Sequence, residues 1–204
     1  MARHLLLTYD FPPIGGGIAR WMAELAKRYP PGSLIVSTGR CPGAAEVDAT
    51  FPNQIDRLPI AQRRLRTMQG VLLWAQRTAV LARTTGAEFI WCGNIKPAAY
   101  PARWTRERVG TPFGILLHRA DLLIIQNQIH QSATKRRAAR EPLGSASVLV
   151  ANSEWTRDRC ITLLRELDLD ASPEHVRVVP LGADREFFHP GVDTAGFRAR
   201  YGLD

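Results

Sequence analysis

Six short apolar, β-prone runs punctuate the chain, at residues 5–9, 34–37, 89–92, 113–117, 148–151 and 176–179. Runs such as Leu5-Leu6-Leu7 and Val148-Leu149-Val150 show no polar alternation, the habit of parallel-sheet strands covered on both faces. Between the runs the apolar spacing becomes helical. Ile18, Trp21, Met22, Leu25, Ala26 and Tyr29 line one helix face. Leu65, Met68, Leu72, Ala75, Ala79 and Ala82 repeat that spacing and predict a helix over 61–83. Shorter helices are predicted over 97–108, 131–140 and 154–167, the last with Ser153 as its N-cap. Residues 39–59 contain Pro and Gly without periodicity and predict a loop holding at most one short strand. Strand–helix alternation of this kind implies βαβ units with right-handed crossovers. The expected fold is therefore α/β, a Rossmann-like doubly wound sheet that is mostly parallel.

After residue 179 the character changes. Pro180-Leu181-Gly182-Ala183-Asp184 is turn chemistry, His189-Pro190-Gly191 is another breaker, and a short helix over 194–201 ends at Gly202. Residues 1–180 thus predict one domain, and 181–204 a linker leading into a further one.

The composition narrows the function classes. No run of ~18 or more apolar residues occurs, so no membrane-spanning helix is predicted. The start lacks the long apolar stretch and cleavage site of a signal peptide, so a cytoplasmic location is expected. Three widely spaced cysteines, Cys41, Cys92 and Cys160, form no C-x-x-C pair, which argues against a disulfide framework or a zinc site. The net charge of +8 is carried overwhelmingly by Arg and suits acidic partners such as phosphates, nucleotides or anionic lipid. An origin in genomic base composition stays open. No recognition motif or aromatic interleaving accompanies the charge, so nucleic acid is not an expected partner.

The candidate chemistry gathers at strand ends. The first strand runs into Tyr9-Asp10-Phe11-Pro12-Pro13-Ile14-Gly15-Gly16-Gly17, and a helix follows at once. Glycines let the backbone approach a ligand, and a helix N-terminus presents free N–H groups to a phosphate. A tight turn without a ligand is the plain alternative. The segment is not a dinucleotide fingerprint, since Arg20 stands where its last glycine belongs and no carboxylate closes the second strand. Nor is it a Walker loop, for no Gly-Lys-Ser/Thr follows.

These residues resemble glycosyltransferase family 4, a family of GT-B fold. Tyr9-Asp10-Phe11-Pro12-Pro13 with the following Gly-Gly-Ile-Ala-Arg resembles its opening. Residues 151–158 resemble a strand-then-helix late in its N-terminal domain. Val178-Val179-Pro180-Leu181-Gly182-Ala183-Asp184, with Phe187 and Pro190, resembles its interdomain linker, and 197–202 the helix beyond it. The matches keep the family's order over nearly the whole chain. The resemblance implies the acceptor-side half of an enzyme that transfers a sugar from a nucleotide sugar to a hydroxyl acceptor with retention. It implies no metal and no cofactor, and a fragment inactive by itself. Gly16 and Gly17, with Gly15 adjoining, would face the donor diphosphate. His118 and Asp121 match a His-Gly-x-Asp-like segment near the transferred sugar, with Arg119 replacing the glycine. Tyr9, Asp10, Asn94 and Lys96, at the same sheet edge, are candidate acceptor contacts, and Lys96 would suit an acceptor phosphate.

Arg63, Arg64, Arg66 and Arg77, with Met68, Val71, Leu72 and Trp74, form a basic amphipathic stretch. It suits peripheral contact with an anionic membrane and a lipid-linked acceptor, or simply a solvated face. The acceptor class, lipid, polysaccharide or small molecule, stays open. Lys135-Arg136-Arg137 and Arg140 share the membrane ambiguity. Glu166 and Glu174 have an E-x7-E spacing, which is expected to be accidental. A non-catalytic α/β module for a phosphorylated or glycosylated ligand remains the alternative.

Overall fold

The apolar runs form seven strands of one sheet: β1 (His4–Leu7), β2 (Leu34–Arg40), β3 (Gln54–Ala61), β4 (Phe89–Cys92), β5 (Phe113–Leu117), β6 (Val148–Ala151) and β7 (Val176–Val178). Their order is β3-β2-β1-β4-β5-β6-β7, and every pairing is parallel where the sequence predicts a mostly parallel sheet. The computed structural model describes residues 3–185 and 188–203. Met1, Ala2, Glu186, Phe187 and Asp204 lie outside the described residues, and with them one position of the linker resemblance.

The helices are α1 (Gly17–Arg28), α2 (Ala44–Asp48), α3 (Met68–Thr85), α4 (Ala99–Val109), α5 (Arg119–Gln131), α6 (Ala133–Ser145), α7 (Glu154–Glu166) and α8 (Ala195–Tyr201). Side chains of a strand alternate between faces, and two cores result. Leu5, Leu7, Ile115, Leu117 and Leu149 join residues of α3 to α7 in the larger one. Leu6, Leu116 and Val150 pack with Met22 and Ala26 of α1 in the smaller. Burying each such Leu stabilises by about 1.5–3 kcal/mol. Exposed pairs such as Arg137–Glu141 contribute about 0–1 kcal/mol, so the apolar layers dominate stability.

Three elements differ from expectation. The predicted loop over 39–59 contains α2 and most of β3. β3 is an edge strand that alternates buried Asp56 and Leu58 with more exposed neighbours and carries Pro59. An edge strand buries little, tolerates Pro, and so lacks an apolar run. The predicted helix over 61–83 is divided. A 3-10 turn spans Gln62–Arg66, and α3 begins after Thr67, whose Oγ1 accepts from Gly70 N at 3.1 Å. Gly70 permits the join, because a Cβ there would lie 1.8 Å from the Arg64 carbonyl oxygen. The break also rotates the buried face. Trp74, Ala75, Ala79, Leu81 and Ala82 are inside, while Met68 and Leu72 are exposed. Finally, α6 covers most of the helix predicted over 131–140 and extends it to Ser145, while α5 has no counterpart in the sequence reading. α5 buries Leu122, Ile125 and Ile129, and Ser132 ends it and caps α6.

Among the described residues beyond β7 none is buried. α8 contains no buried residue.

Candidate functional site

The strand order reverses between β1 and β4, and the loops leaving their carboxyl ends flank the crevice where open α/β sheets bind ligands. The loop after β1 is held from several sides. Thr8 Oγ1 donates to the Asp10 carbonyl at 2.9 Å, and Phe11 is buried with its ring 5.1 Å from that of Phe51. The Arg57 guanidinium donates to the Pro12 carbonyl, to the Gly39 carbonyl at 2.9 Å, and to Asp48. It straps the arm before the glycines to β2 and α2.

Gly15, Gly16 and Gly17 are exposed, and a Cβ on any of them would meet nothing within 4 Å. Gly16 has φ 127° and ψ 159°, a backbone conformation that L side chains rarely adopt. No side chain caps α1 and no acidic residue stands in its first turn. Thr67, Ser132 and Ser153 do cap α3, α6 and α7. The start of α1 therefore presents uncapped N–H groups and a positive dipole end on an open surface.

His118 closes β5 and precedes α5. Its Nε2 lies 2.7 Å from the Gly93 carbonyl oxygen, which can only accept, so Nε2 carries a proton and Nδ1 is left as the other polar atom. Trp21, one turn into α1, packs edge-on against the imidazole at 5.1 Å between ring centres. The glycine bend and His118 thus occupy one edge of the sheet, joined through Trp21. The imidazole is only 6% exposed, turned into that edge and away from solvent. Gly93 lets Met22 and Thr8 close on this backbone. A Cβ there would come within 2.7 Å of Met22 Sδ and 2.9 Å of Thr8 Cβ.

Asn94 Nδ2 donates to Asp10 Oδ2 at 3.1 Å, which unites two of the predicted acceptor contacts, and Asn94 Oδ1 is buried without a partner. Asp121 Oδ2 accepts from Ile95 N at 3.3 Å. Burial pushes the Asp121 carboxyl above the usual carboxylate range, against the pull of His118 and of the Ile95 N–H, while Asp10 adds to the upward push. Lys96 is drawn elsewhere. Its Nζ donates to Gln128 Oε1 on α5 at 2.9 Å, and burial, with repulsion from Lys135, lowers its pKa against the attraction of Asp121. The Tyr9 ring is covered by the Arg66 guanidinium at 4.0 Å, and its carbonyl accepts from the Gln62 amide.

Arg119 stands at the first position of α5 with a helical backbone, so replacing the glycine of the resembled segment imposes no left-handed conformation. Trp74 of the basic stretch is fully buried and donates to Ser37 Oγ at 3.0 Å, and Arg77 is paired with Asp56. Arg136, Arg137 and Arg140 are engaged by Asp168, Glu141 and the Leu167 carbonyl. Glu166, at the far end of α7, accepts from Gln126 at 2.7 Å, and Glu174 lies in the Pro173–His175 turn. The cysteines are free, and Cys92 and Cys160 are buried. Among the described residues no group of three His, Cys, Asp or Glu side chains could hold a metal ion, and no helix is long and apolar enough to cross a membrane.

Arg57, Gly93 and Gln62 were not anticipated as site residues. Their partners are 25 to 53 residues distant or contributed by other elements, and no local spacing signals them.

No protein-family model matches the chain, and no curated protein sequence matches it significantly. Solved structures do match. Anabaena HepE in complex with UDP-glucose aligns with a TM-score of 0.66 and 19% identity, over 98% of this chain and 50% of that one. The fold is glycosyltransferase-like. A glycosyltransferase from Rickettsia africae ESF-5 aligns with a TM-score of 0.64 and 13% identity, covering 100% of this chain and 50% of its own. A UDP-forming α,α-trehalose-phosphate synthase from Burkholderia vietnamiensis gives 0.52 and 13%, over 99% and 52%. This chain spans about half the length of the structures it matches.

Proposed function

We propose that the chain is the N-terminal, acceptor-side half of a family 4-like GT-B glycosyltransferase that transfers a sugar from a nucleotide-activated donor to a hydroxyl acceptor with retention. Residues 1–180 form the acceptor-side domain and 181–204 lead to a donor-binding domain. The observation that carries the reading is the common sheet edge of the uncapped glycine bend and His118, at the point where strand order reverses. The UDP-glucose held by Anabaena HepE, over a shared fold, supports the nucleotide-sugar donor.

In this reading the N–H groups around Gly15, Gly16 and Gly17 stabilise part of the charge on the leaving diphosphate, and cations of the second domain supply the rest. The nucleoside diphosphate leaves the sugar and the acceptor oxygen attacks on the same face, its proton passing to the departing phosphate oxygen, so no protein nucleophile is required. His118, fixed through Nε2 and buried against Trp21, acts by positioning the strand end beside the sugar. Asp121 holds the neighbouring loop through Ile95, while Asp10, Asn94 and Tyr9 shape the acceptor side. Lys96 contacts an acceptor phosphate only after leaving Gln128. The nucleotide sugar is a substrate, and no metal or cofactor takes part.

Arg63, Arg64 and Arg66, beside the exposed Met68, Leu72 and Leu73, suit peripheral contact with an anionic cytoplasmic membrane surface. Arg119 has a helical backbone, which is compatible with the transferase reading.

The test is nucleotide release from a panel of UDP- and GDP-sugars, by the 204-residue chain and by that chain joined to the polypeptide encoded after it. The joined protein should turn over, Gly16→Val should abolish most of that turnover, and the chain alone should stay at background. Robust turnover by the chain alone, or a joined protein lacking a second α/β domain, would sink the reading.

A further inference from the structure

Next to His118, the loops after β5 and β6 enclose an open depression of about 400 Å³ lined by Arg119, Asn152, Ser153, Trp155 and Thr156. Its wall is the Trp155 indole, which is 46% exposed. The Arg119 guanidinium lies over this ring at 4.9 Å, and Arg159, one helical turn beyond Trp155, approaches the same ring at 5.9 Å. Neither arginine has a carboxylate partner among the described residues. The acids nearest Arg159 in sequence are engaged by Arg157, Glu154 at 2.5 Å and Asp158 at 2.9 Å, and Asp121, two residues from Arg119, accepts from Ile95 N. Arg159 Nε is buried with no hydrogen-bond partner. Asn152 Oδ1 accepts from Thr156 Oγ1 at 2.8 Å, which leaves the Asn152 amide nitrogen as a further donor.

Two cations that share one indole without a counter-ion repel each other, and the ring offsets that repulsion only weakly at an exposed site. An oxyanion in the depression would screen that repulsion and receive charge-assisted hydrogen bonds from the Arg119 guanidinium and the Asn152 amide, with Arg159 acting from outside the lining. The planar donor fork of arginine fits a phosphate or a carboxylate equally. A flat, half-exposed indole beside such donors also offers an apolar face to the body of a bound molecule. The position matters as well. Arg119 follows His118 directly, so an anion held here lies on the acceptor side of the proposed reaction centre.

We propose that Arg119, Asn152 and Trp155 form an anion subsite for the acceptor, a sugar bearing a phosphate or carboxylate group, to which Arg159 adds positive charge from beside Trp155. This rests on the sugar-transfer reading given above. The test follows the indole N–H resonance of Trp155, assigned with Trp155→Phe, in the 204-residue chain. The probes are inorganic phosphate, glucose 6-phosphate, glucuronate and glucose. At least one anionic probe should shift this resonance saturably while glucose does not, and the probe that binds tighter names the anion. Arg119→Gln, at an exposed position that leaves the core intact, should weaken that binding about tenfold or more, the loss of one charge-assisted hydrogen bond. Arg159→Gln should act in the same direction. Absence of any shift with all three anions, an equal response to glucose, or unchanged binding by Arg119→Gln would overturn the subsite. None of these outcomes involves donor turnover, so failure here is distinguishable from failure of the transferase reading.

Discussion

At Asp121 two tendencies oppose each other. Burial disfavours the ionised carboxylate, whereas His118 and the Ile95 N–H favour it, and burial prevails. A carboxyl whose pKa is raised by folding contributes stability that is fully present below its unfolded value of about 3.9 and is lost as pH rises through the raised folded value. Above the raised value the ionised side chain is therefore a net cost to the fold. Asp121→Asn keeps an acceptor for Ile95 N and removes that charge, so it should raise the urea midpoint at pH 7. The gain should shrink as the pH is lowered toward the unfolded value. A lower midpoint at pH 7 would show that the attractions outweigh burial. Residues of this kind were partly legible. The glycine bend and His118 follow strand ends in the sequence, whereas the groups that hold them, Arg57, Gly93 and Trp21, come from distant positions. Gly93 was not legible as a site residue, because its need for a missing side chain arises from Thr8 and Met22, on other elements.

The division of the helix predicted over 61–83 is decided by a steric contact that periodicity does not contain. Helix propensity alone expects Gly70→Ala to stabilise α3 by about 1 kcal/mol. A Cβ 1.8 Å from the Arg64 carbonyl oxygen requires the opposite, a loss on the order of 1–3 kcal/mol. Chemical denaturation of Gly70→Ala distinguishes the two by sign. The consequence for the site is direct, since the Gln62–Arg66 turn places Arg66 over Tyr9 and Gln62 on the Tyr9 carbonyl. Central strands β4, β5 and β6 coincide with their apolar runs because both faces are apolar. β3 escaped because an edge strand needs no such run.

At the scale of the molecule, the tail after β7 adds little to the core. α8 has no buried residue, and the Arg28–Asp184 pair at 3.5 Å is an exposed ion pair. Ending the chain after Pro180 should therefore change its unfolding free energy by no more than about 1 kcal/mol, as measured by urea titration. A larger loss would make the tail part of the domain. The α/β class, most strands, the N-cap of α7 and the place of the glycine bend were determined by the sequence itself. Strand and helix periods and turn chemistry are properties of adjacent residues, so a local pattern specifies them. Strand order, the crevice between β1 and β4, the turning of His118 toward Gly93 beneath Trp21, and the meeting of Arg119 with Trp155 were decided only by the tertiary structure. Each depends on packing between residues far apart in the chain, where geometry selects among pairings that the sequence leaves equivalent.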